Sequence, residues 1–230
     1  DKLKEITAKS VRFLDNVVDL NKYPLPQIKE MTQANRKIGL GVMGFADICI
    51  ALEIPYNSDK AVKLAESIMS TIQETSKKES EDLAKEKGAF ANFKNSTFAA
   101  NKVKELRNAT TTTIAPTGTI SIIANSSGGV EPIFALAYAR NVMDNNVLIE
   151  SNPQFVQYAK KHGFYSEELM EKVAEEGSIA HIDEVPDAAK KIFVTAHDIA
   201  PEWHIKIQAA FQKYVDNAVS KTVNFSNEAT

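Results

Sequence analysis

The sequence predicts a helix-rich α/β fold in which parallel strands are covered by outer helices. Amphipathic helical patterns, broken by proline and glycine, occupy most of the 230 residues. Short apolar or β-branched runs stand between them and are expected to be strands at 38–42, 110–114, 130–140 and 219–225. Because helices separate these runs, the strands are expected to pair in parallel.

Composition limits the class of protein. Hydrophobic residues make up 43% and charged residues 25%, as in soluble globular proteins, and one domain over 1–230 is expected. The net charge of −3 argues against a broad nucleic-acid-binding surface. No apolar run is long enough for a membrane span, and the start does not resemble a signal peptide. A single cysteine, Cys49, favours a cytoplasmic setting. The chain starts without methionine, inside an expected helix, so we expect a piece of a longer chain.

Helical periodicity and breakers divide the chain into segments. The first half is expected to contain helices at 3–18, 27–34, 45–52 and 58–87. Asn57 or Ser58 is placed to cap the long fourth helix, and Gly88 is placed to end it. From residue 152 to about 219 the pattern is again helical, with breaks at Gly163, Gly177, Pro186 and Pro201.

The stretch from Thr110 to Ala124 is the most informative part of the sequence. A β-branched run is followed by the turn Pro116-Thr-Gly118 and then by a helix start that Thr117 or Thr119 is placed to cap. A strand, a glycine turn and a helix start form a ready anion site, because free N–H groups and the helix dipole attract negative charge. Gly118 permits close approach, and the threonine and Ser121 hydroxyls can add hydrogen bonds. An ordinary βα turn that binds nothing is the alternative.

Other patterns carry weaker signals. Gly39-x-Gly41-x-x-Gly44 fits the G-x-G-x-x-G motif of dinucleotide-binding proteins, but no acidic residue follows at the end of a strand. We therefore expect glycines that allow close packing and a tight entry into the next helix. Cys49 lies in an apolar run and is expected to be structural. Glu131 is a candidate general base or a buried hydrogen-bond anchor.

The four histidines show no metal-ligand spacing. They are expected to have surface or capping roles at positions His162, His181, His197 and His204.

Three long segments carry a family resemblance. The run 115–122, Ala-Pro-Thr-Gly-Thr-Ile-Ser-Ile, is followed by Ser127-Gly-Gly-Val-Glu-Pro-Ile-Phe-Ala-Leu-Ala-Tyr138. Together they resemble the adenosylcobalamin-dependent (class II) ribonucleotide reductases. The segments 36–47 and 204–224 also resemble this family and follow in the family's order.

The resemblance implies that the chain is the second half of a ten-stranded α/β barrel built from two parallel five-stranded halves. It implies a substrate phosphate-binding loop, here called the 116–121 loop, formed by Pro116, Thr117, Gly118, Thr119, Ile120 and Ser121. In the family, adenosylcobalamin generates a thiyl radical that abstracts the 3′-hydrogen, the ribose 2′-hydroxyl is replaced by hydrogen, and a dithiol supplies the electrons.

The chain departs from the family pattern in its cysteines. The family's radical cysteine lies in an Asn-x-Cys-x-Glu motif, which this sequence lacks, and Cys49 matches none of the family's cysteines. No catalytic residue and no metal ligand is therefore assigned to the chain, which we expect to be inactive without the remainder of the barrel. Two alternatives stay open: a non-catalytic split subunit or nucleotide-binding barrel half, and an unrelated phosphate-binding α/β enzyme.

Overall fold

A computed structural model describes residues 1–141 and 147–225 of the chain. The described helices and strands are, in order, α1 Lys2–Leu20, α2 Pro26–Asn35, α3 Phe45–Ala51, α4 Asp59–Lys87, α5 Thr97–Ala100, α6 Gly118–Ile123, β1 Ala137–Asn141, β2 Val147–Ser151, α7 Pro153–His162, α8 Glu167–Glu176, α9 Asp187–Ile192 and α10 Pro201–Gln212, with a short 3-10 helix at Phe93–Asn95.

These elements form two compact units, each assembled from separate stretches of chain. The first unit contains Asp1–Gly41, Glu66–Ala115 and Phe211–Val219. The second contains Val42–Ala65, Pro116–Ala210 and Ser220–Thr230. The organisation of 1–230 as a single domain stays a prediction.

Helix boundaries follow the signals in the sequence. The Ser58 hydroxyl accepts a hydrogen bond from the Ala61 N–H at 3.2 Å, so Ser58 caps α4. Gly88, with φ of +85°, ends it. Gly163 and Gly177 likewise adopt positive φ after α7 and α8. The last helix, α10, ends at Gln212, earlier than the apolar pattern predicted.

In the first unit, three backbone stretches lie side by side in parallel. Isolated bridges pair Leu40 with Thr112 and Ile114 with Val219. The strands predicted at 38–42, 110–114 and 219–225 are thus reduced to single bridges. One cause is that the Thr111 N–H donates to the Asp216 carboxylate at 2.6 Å. A side chain there takes the place of a ladder carbonyl.

Glycines allow these stretches to approach closely, as the sequence predicted. A Cβ atom on Gly39 would lie 2.3 Å from Cγ2 of Thr113. On Gly41 it would lie 2.2 Å from the Thr113 carbonyl oxygen. Gly44 begins α3 in a left-handed conformation, which is the predicted tight entry into that helix.

The second unit contains a strand pair that corrects the predicted topology. Strands β1 and β2 are antiparallel, with Ala137 opposite Ser151. Only residues 142–146 separate them, which is too short for the crossover that parallel strands need. The predicted strand at 130–140 begins as late as Ala137. Pro132 interrupts its start, and Ile133 makes only an isolated parallel bridge to Thr195.

None of the helices in the described ranges is both long enough and apolar enough to cross a membrane.

Candidate functional site

The 116–121 loop lies on the surface of the second unit and leads into α6. Thr117 occupies the position before the helix and is left-handed, with φ of +58°. Its side chain makes no cap hydrogen bond, so the predicted threonine cap is wrong. Gly118 is exposed and has no positive φ, and a Cβ there would have no described atom within 4 Å. The strain in this turn therefore falls on Thr117 rather than on Gly118.

The first backbone N–H groups of α6 have no hydrogen-bond partner within the helix. The first intrahelical bond runs from the Ser121 N–H to the Thr117 carbonyl at 2.9 Å. The N–H groups of residues 118, 119 and 120 precede that bond and need a partner outside the helix. Ser121 is buried, and its hydroxyl donates to the Gly118 carbonyl at 3.2 Å. The free donors are thus backbone groups on an exposed turn.

A second segment, residues 127–131, packs behind the loop. The Gly129 N–H donates to the Thr117 hydroxyl oxygen at 2.7 Å. A Cβ on Gly128 would lie 3.4 Å from the Pro116 carbonyl oxygen, so the two segments are in van der Waals contact. The conformation of Thr117 is therefore coupled to the position of the 127–131 segment.

Groups in α3 and in the residues on either side of it hold the 127–131 segment. The Asp47 carboxylate accepts from the Ser127 N–H at 2.6 Å, and the Gly44 N–H donates to the Ser127 carbonyl at 2.8 Å. Buried Tyr56 donates its hydroxyl to the Val130 carbonyl at 2.6 Å. These contacts fix the segment from the side of α3.

At its far end the segment meets a buried polar group that the sequence did not reveal. We call Lys221, Glu131 and His204 the Lys221 cluster. The Lys221 side chain is 1% exposed, and its Nζ lies 2.6 Å from Oε2 of Glu131 and 2.8 Å from Nδ1 of His204. Glu131 also accepts from the Thr222 N–H at 2.8 Å. Of the two roles predicted for Glu131, these contacts support the hydrogen-bond anchor.

The protonation states of the Lys221 cluster follow from its contacts. His204 is fully buried, and its Nε2 lies 3.2 Å from the Ala196 carbonyl, so Nε2 donates and Nδ1 accepts from Lys221. Burial, together with the positive charge of Lys221, lowers the pKa of His204. Burial also lowers the pKa of Lys221, while Glu131 opposes that change.

His204 corrects the expectation that all four histidines have surface or capping roles. The signal that could have found it is its spacing, since His204, Ile207 and Phe211 recur at three and four residues on one face of α10. His162, His181 and His197 are exposed, as predicted. Among the described residues, no group of histidine, cysteine and acidic side chains could hold a metal ion.

Cys49 is buried on α3. It forms no disulfide, and burial raises the pKa of its thiol to about 12. A thiol that stays protonated in an apolar site fits the packing role predicted for it.

An exposed helix start, with its free N–H groups above a segment fixed by buried polar contacts, is typical of α/β proteins that bind phosphate groups. The family model for the ribonucleotide reductase barrel domain matches residues 1–106 and 100–230. The chain therefore belongs to the ribonucleotide reductase barrel-domain family.

Individual relatives agree with this assignment. The chain is 52% identical over its whole length to a vitamin B12-dependent ribonucleoside-diphosphate reductase of Thermoplasma acidophilum, and spans 30% of that protein. It is 46% identical, again over its whole length, to a reductase of the same name from Mycobacterium tuberculosis, and spans 33% of it. Among solved structures, the Actinobacillus ureae class Id ribonucleotide reductase alpha subunit matches with a TM-score of 0.74, at 26% identity. That match covers 93% of this chain and 38% of the other.

Proposed function

We propose that this chain is part of the catalytic subunit of an adenosylcobalamin-dependent ribonucleoside-diphosphate reductase. In that enzyme it contributes the loop that binds the substrate phosphates. The observation that carries the proposal is the exposed start of α6, where the N–H groups of residues 118–120 lack intrahelical partners. Membership of the family excludes the alternative of an enzyme from an unrelated family.

The loop would act by positioning and charge stabilisation. The N–H groups of Gly118, Thr119 and Ile120 would donate to the phosphate oxygens, and the Thr119 hydroxyl would add a further donor. The Thr117 oxygen already accepts from Gly129, so its own proton remains to be donated. The rest of the proposed 116–121 site, Pro116 and Ser121, would shape the turn rather than bind phosphate directly.

We also propose that the chain forms the second half of the ten-stranded barrel. The parallel bridges of Leu40 with Thr112 and of Ile114 with Val219 support this arrangement within the first unit. The neighbouring strands would come from the remainder of the catalytic barrel, which is the expected partner of the chain.

The cofactor would be adenosylcobalamin, which in the family supplies the initiating radical. Both ring nitrogens of His204 are engaged, and no group of three or more histidine, cysteine or acidic side chains among the described residues could hold a metal ion. The thiol of Cys49 is buried and protonated. We therefore derive no radical step through this chain and assign it no catalytic residue.

Gly118→Val tests the loop assignment. A β-branched side chain at this position would block the approach of phosphate to the helix start. Because a Cβ at Gly118 meets no described atom within 4 Å, the fold should survive. We expect CDP binding, measured by titration calorimetry, to be abolished while the circular dichroism spectrum stays unchanged.

Ile122→Ala is the matched control for this test. Ile122 lies on the same helix and is 80% exposed, so its variant should keep the affinity of the original chain. Unchanged CDP affinity in Gly118→Val would refute the phosphate role of the loop.

Activity separates the reductase proposal from the alternative of a non-catalytic nucleotide-binding half. Supplied with adenosylcobalamin, a dithiol and CDP, the chain alone should form no deoxynucleotide. Addition of a separately made barrel half that carries the Asn-x-Cys-x-Glu motif should restore formation of dCDP. Nucleotide binding without any restored turnover would favour the non-catalytic role.

A further inference from the structure

We propose that Lys221 is a positioning residue for the 116–121 loop and acts through Glu131. This inference rests on the proposed function, since it concerns how the loop is made ready for phosphate. It assigns a role to the Lys221 cluster, which includes the last residue of the 127–131 segment and contributes no donor to the loop.

The first step of the argument is the saturation of Lys221. Its ammonium group has three hydrogens, and three acceptors surround it: the Glu131 carboxylate, His204 Nδ1 and the Thr222 carbonyl. Neutral His204 is fixed in the tautomer that accepts from Lys221, because its Nε2 is directed at the Ala196 carbonyl. The direction of each contact is therefore defined, and Lys221 can sit in only one orientation.

The second step is the connection from Lys221 to the loop. Glu131 receives Lys221 on Oε2 and the Thr222 N–H on Oε1, so both carboxylate oxygens are engaged. The Glu131 N–H donates to the Gly128 carbonyl at 2.9 Å. Two residues before Glu131, Gly129 donates to the hydroxyl of left-handed Thr117. A displacement of Glu131 would therefore move the group that holds Thr117 in its uncommon conformation.

The third step concerns the cost of the arrangement. Removing a lysine from water is unfavourable, and an apolar side chain of similar size would fill the same space without that penalty. A lysine with a buried side chain and defined partners is thus better explained by the orientation that it imposes than by the stability that it adds. A loop held in its binding conformation before the nucleotide arrives loses less entropy when it binds.

Lys221→Met tests the proposal because it keeps an unbranched side chain of about the length of the lysine stem and removes the ammonium group. The measurement is the ratio of the affinities for CDP and for cytidine, determined in a complete reductase that carries these residues. This ratio reports the contribution of the phosphates alone. We expect the ratio to fall about tenfold, the effect of losing one well-aligned charged contact. Cytidine affinity should change by less than about twofold.

Lys77→Met is the matched control. Lys77 pairs with the Asp216 carboxylate at 2.7 Å, and both residues belong to the first unit, whereas the loop and the Lys221 cluster belong to the second. This variant should lose stability without a change in the affinity ratio. Lys221→Arg, which restores the positive charge, should recover most of the ratio, and Glu131→Gln should lower it as Lys221→Met does.

The outcomes separate this inference from the proposed function. If the original protein binds CDP and cytidine equally well, the phosphate site itself is wrong and the inference falls with it. If Gly118→Val abolishes the preference for CDP but Lys221→Met leaves it intact, the site stands and the positioning role is refuted. If Lys77→Met lowers the ratio as much as Lys221→Met does, the effect is one of general stability and the positioning role is again refuted.

Discussion

Two buried ionic clusters, one in each unit, are built in different ways. The Asp15 cluster of the first unit contains Asp15, Arg36, Arg107 and Asn108. Asp15 is 0% exposed and accepts from Arg36 at 2.8 Å, from Arg107 at 3.3 Å and from Asn108 at 3.0 Å. In the Lys221 cluster, by contrast, Lys221 is paired with the carboxylate of Glu131, and its other described acceptors are neutral.

The difference shows what each cluster can do. In the Asp15 cluster several donors from separate parts of the chain converge on one carboxylate, so it ties α1 to the segments at 36 and 107–108. Burial alone would raise the pKa of Asp15, but hydrogen bonds and charge from Arg36, with help from Asn108 and Arg107, lower it below its ordinary value. Because several donors share Asp15, that cluster is suited to holding separate parts of the chain together. The Lys221–Glu131 pair has a single carboxylate, so it is suited to positioning the one segment that carries Glu131.

The largest loss of stability is expected when the Asp15 cluster loses its central carboxylate. Asp15→Asn keeps the shape of the side chain but removes the buried carboxylate that pairs with Arg36, which then keeps the half-exposed carboxylate of Asp19 as its ionic partner. We expect the free energy of unfolding to fall by about 3–5 kcal/mol, measured by urea denaturation. Glu5→Gln is the control, because the Lys9–Glu5 pair is solvent-exposed and its loss should leave the midpoint unchanged. A similar midpoint for Asp15→Asn and Glu5→Gln would show that the cluster is not a structural tie.

The two units also differ in how closely their glycines are packed, as Gly41 in the first unit and Gly118 in the second show. A methyl group added to Gly41 would lie 2.2 Å from a backbone oxygen, and the parallel stretches would have to separate. Gly41→Ala should therefore cost about 3 kcal/mol of stability. The matched variant Gly118→Ala meets no described atom within 4 Å and should change the stability by less than about 0.5 kcal/mol. Equal denaturation midpoints for these two variants would contradict the packing described for Gly41.

Local signals in the sequence predicted part of this structure well. Ser58, Gly88, Gly163 and Gly177 marked helix ends because capping and left-handed backbone are decided by neighbouring residues. The close approach of Gly39 and Gly41 was also expected, although the identity of their neighbour, Thr113, was not.

Features that depend on distant residues were not predictable in this way. The strand expected at 110–114 is interrupted by the carboxylate of Asp216, which is remote in sequence. The left-handed conformation of Thr117 depends on Gly129 and on contacts behind it. Lys221 and His204 gave no local sign of their pairing, because a lysine is ordinarily exposed and only the fold brings this one to a histidine. The sequence therefore located the loop, while the structure revealed what holds it.

The smallest expected effect concerns the dependence of stability on pH and tests the Lys221 cluster alone. The pKa of His204 is lowered by burial and by Lys221, whose ammonium faces Nδ1, while the more distant Glu131 charge opposes this change. Below the ordinary value of 6.5 the unfolded chain therefore binds a proton that folded His204 does not bind. The free energy of unfolding should fall as the pH decreases through 6.5 and stop falling, for this group, below the folded pKa.

His204→Gln removes the titrating ring but keeps an oxygen that can accept from Lys221. Comparison of urea midpoints at about pH 8 and about pH 5 should show a smaller loss of stability in the variant than in the original chain. The exposed histidines and the carboxylates are common to both proteins, so the difference between the two losses belongs to position 204. An equal loss in both proteins would mean that His204 is free to take up a proton in the folded state. His204 would then no longer be the neutral acceptor of Lys221. The orientation of Lys221 would not be fixed, and the Lys221 cluster could not be contrasted with the Asp15 cluster as a positioning device.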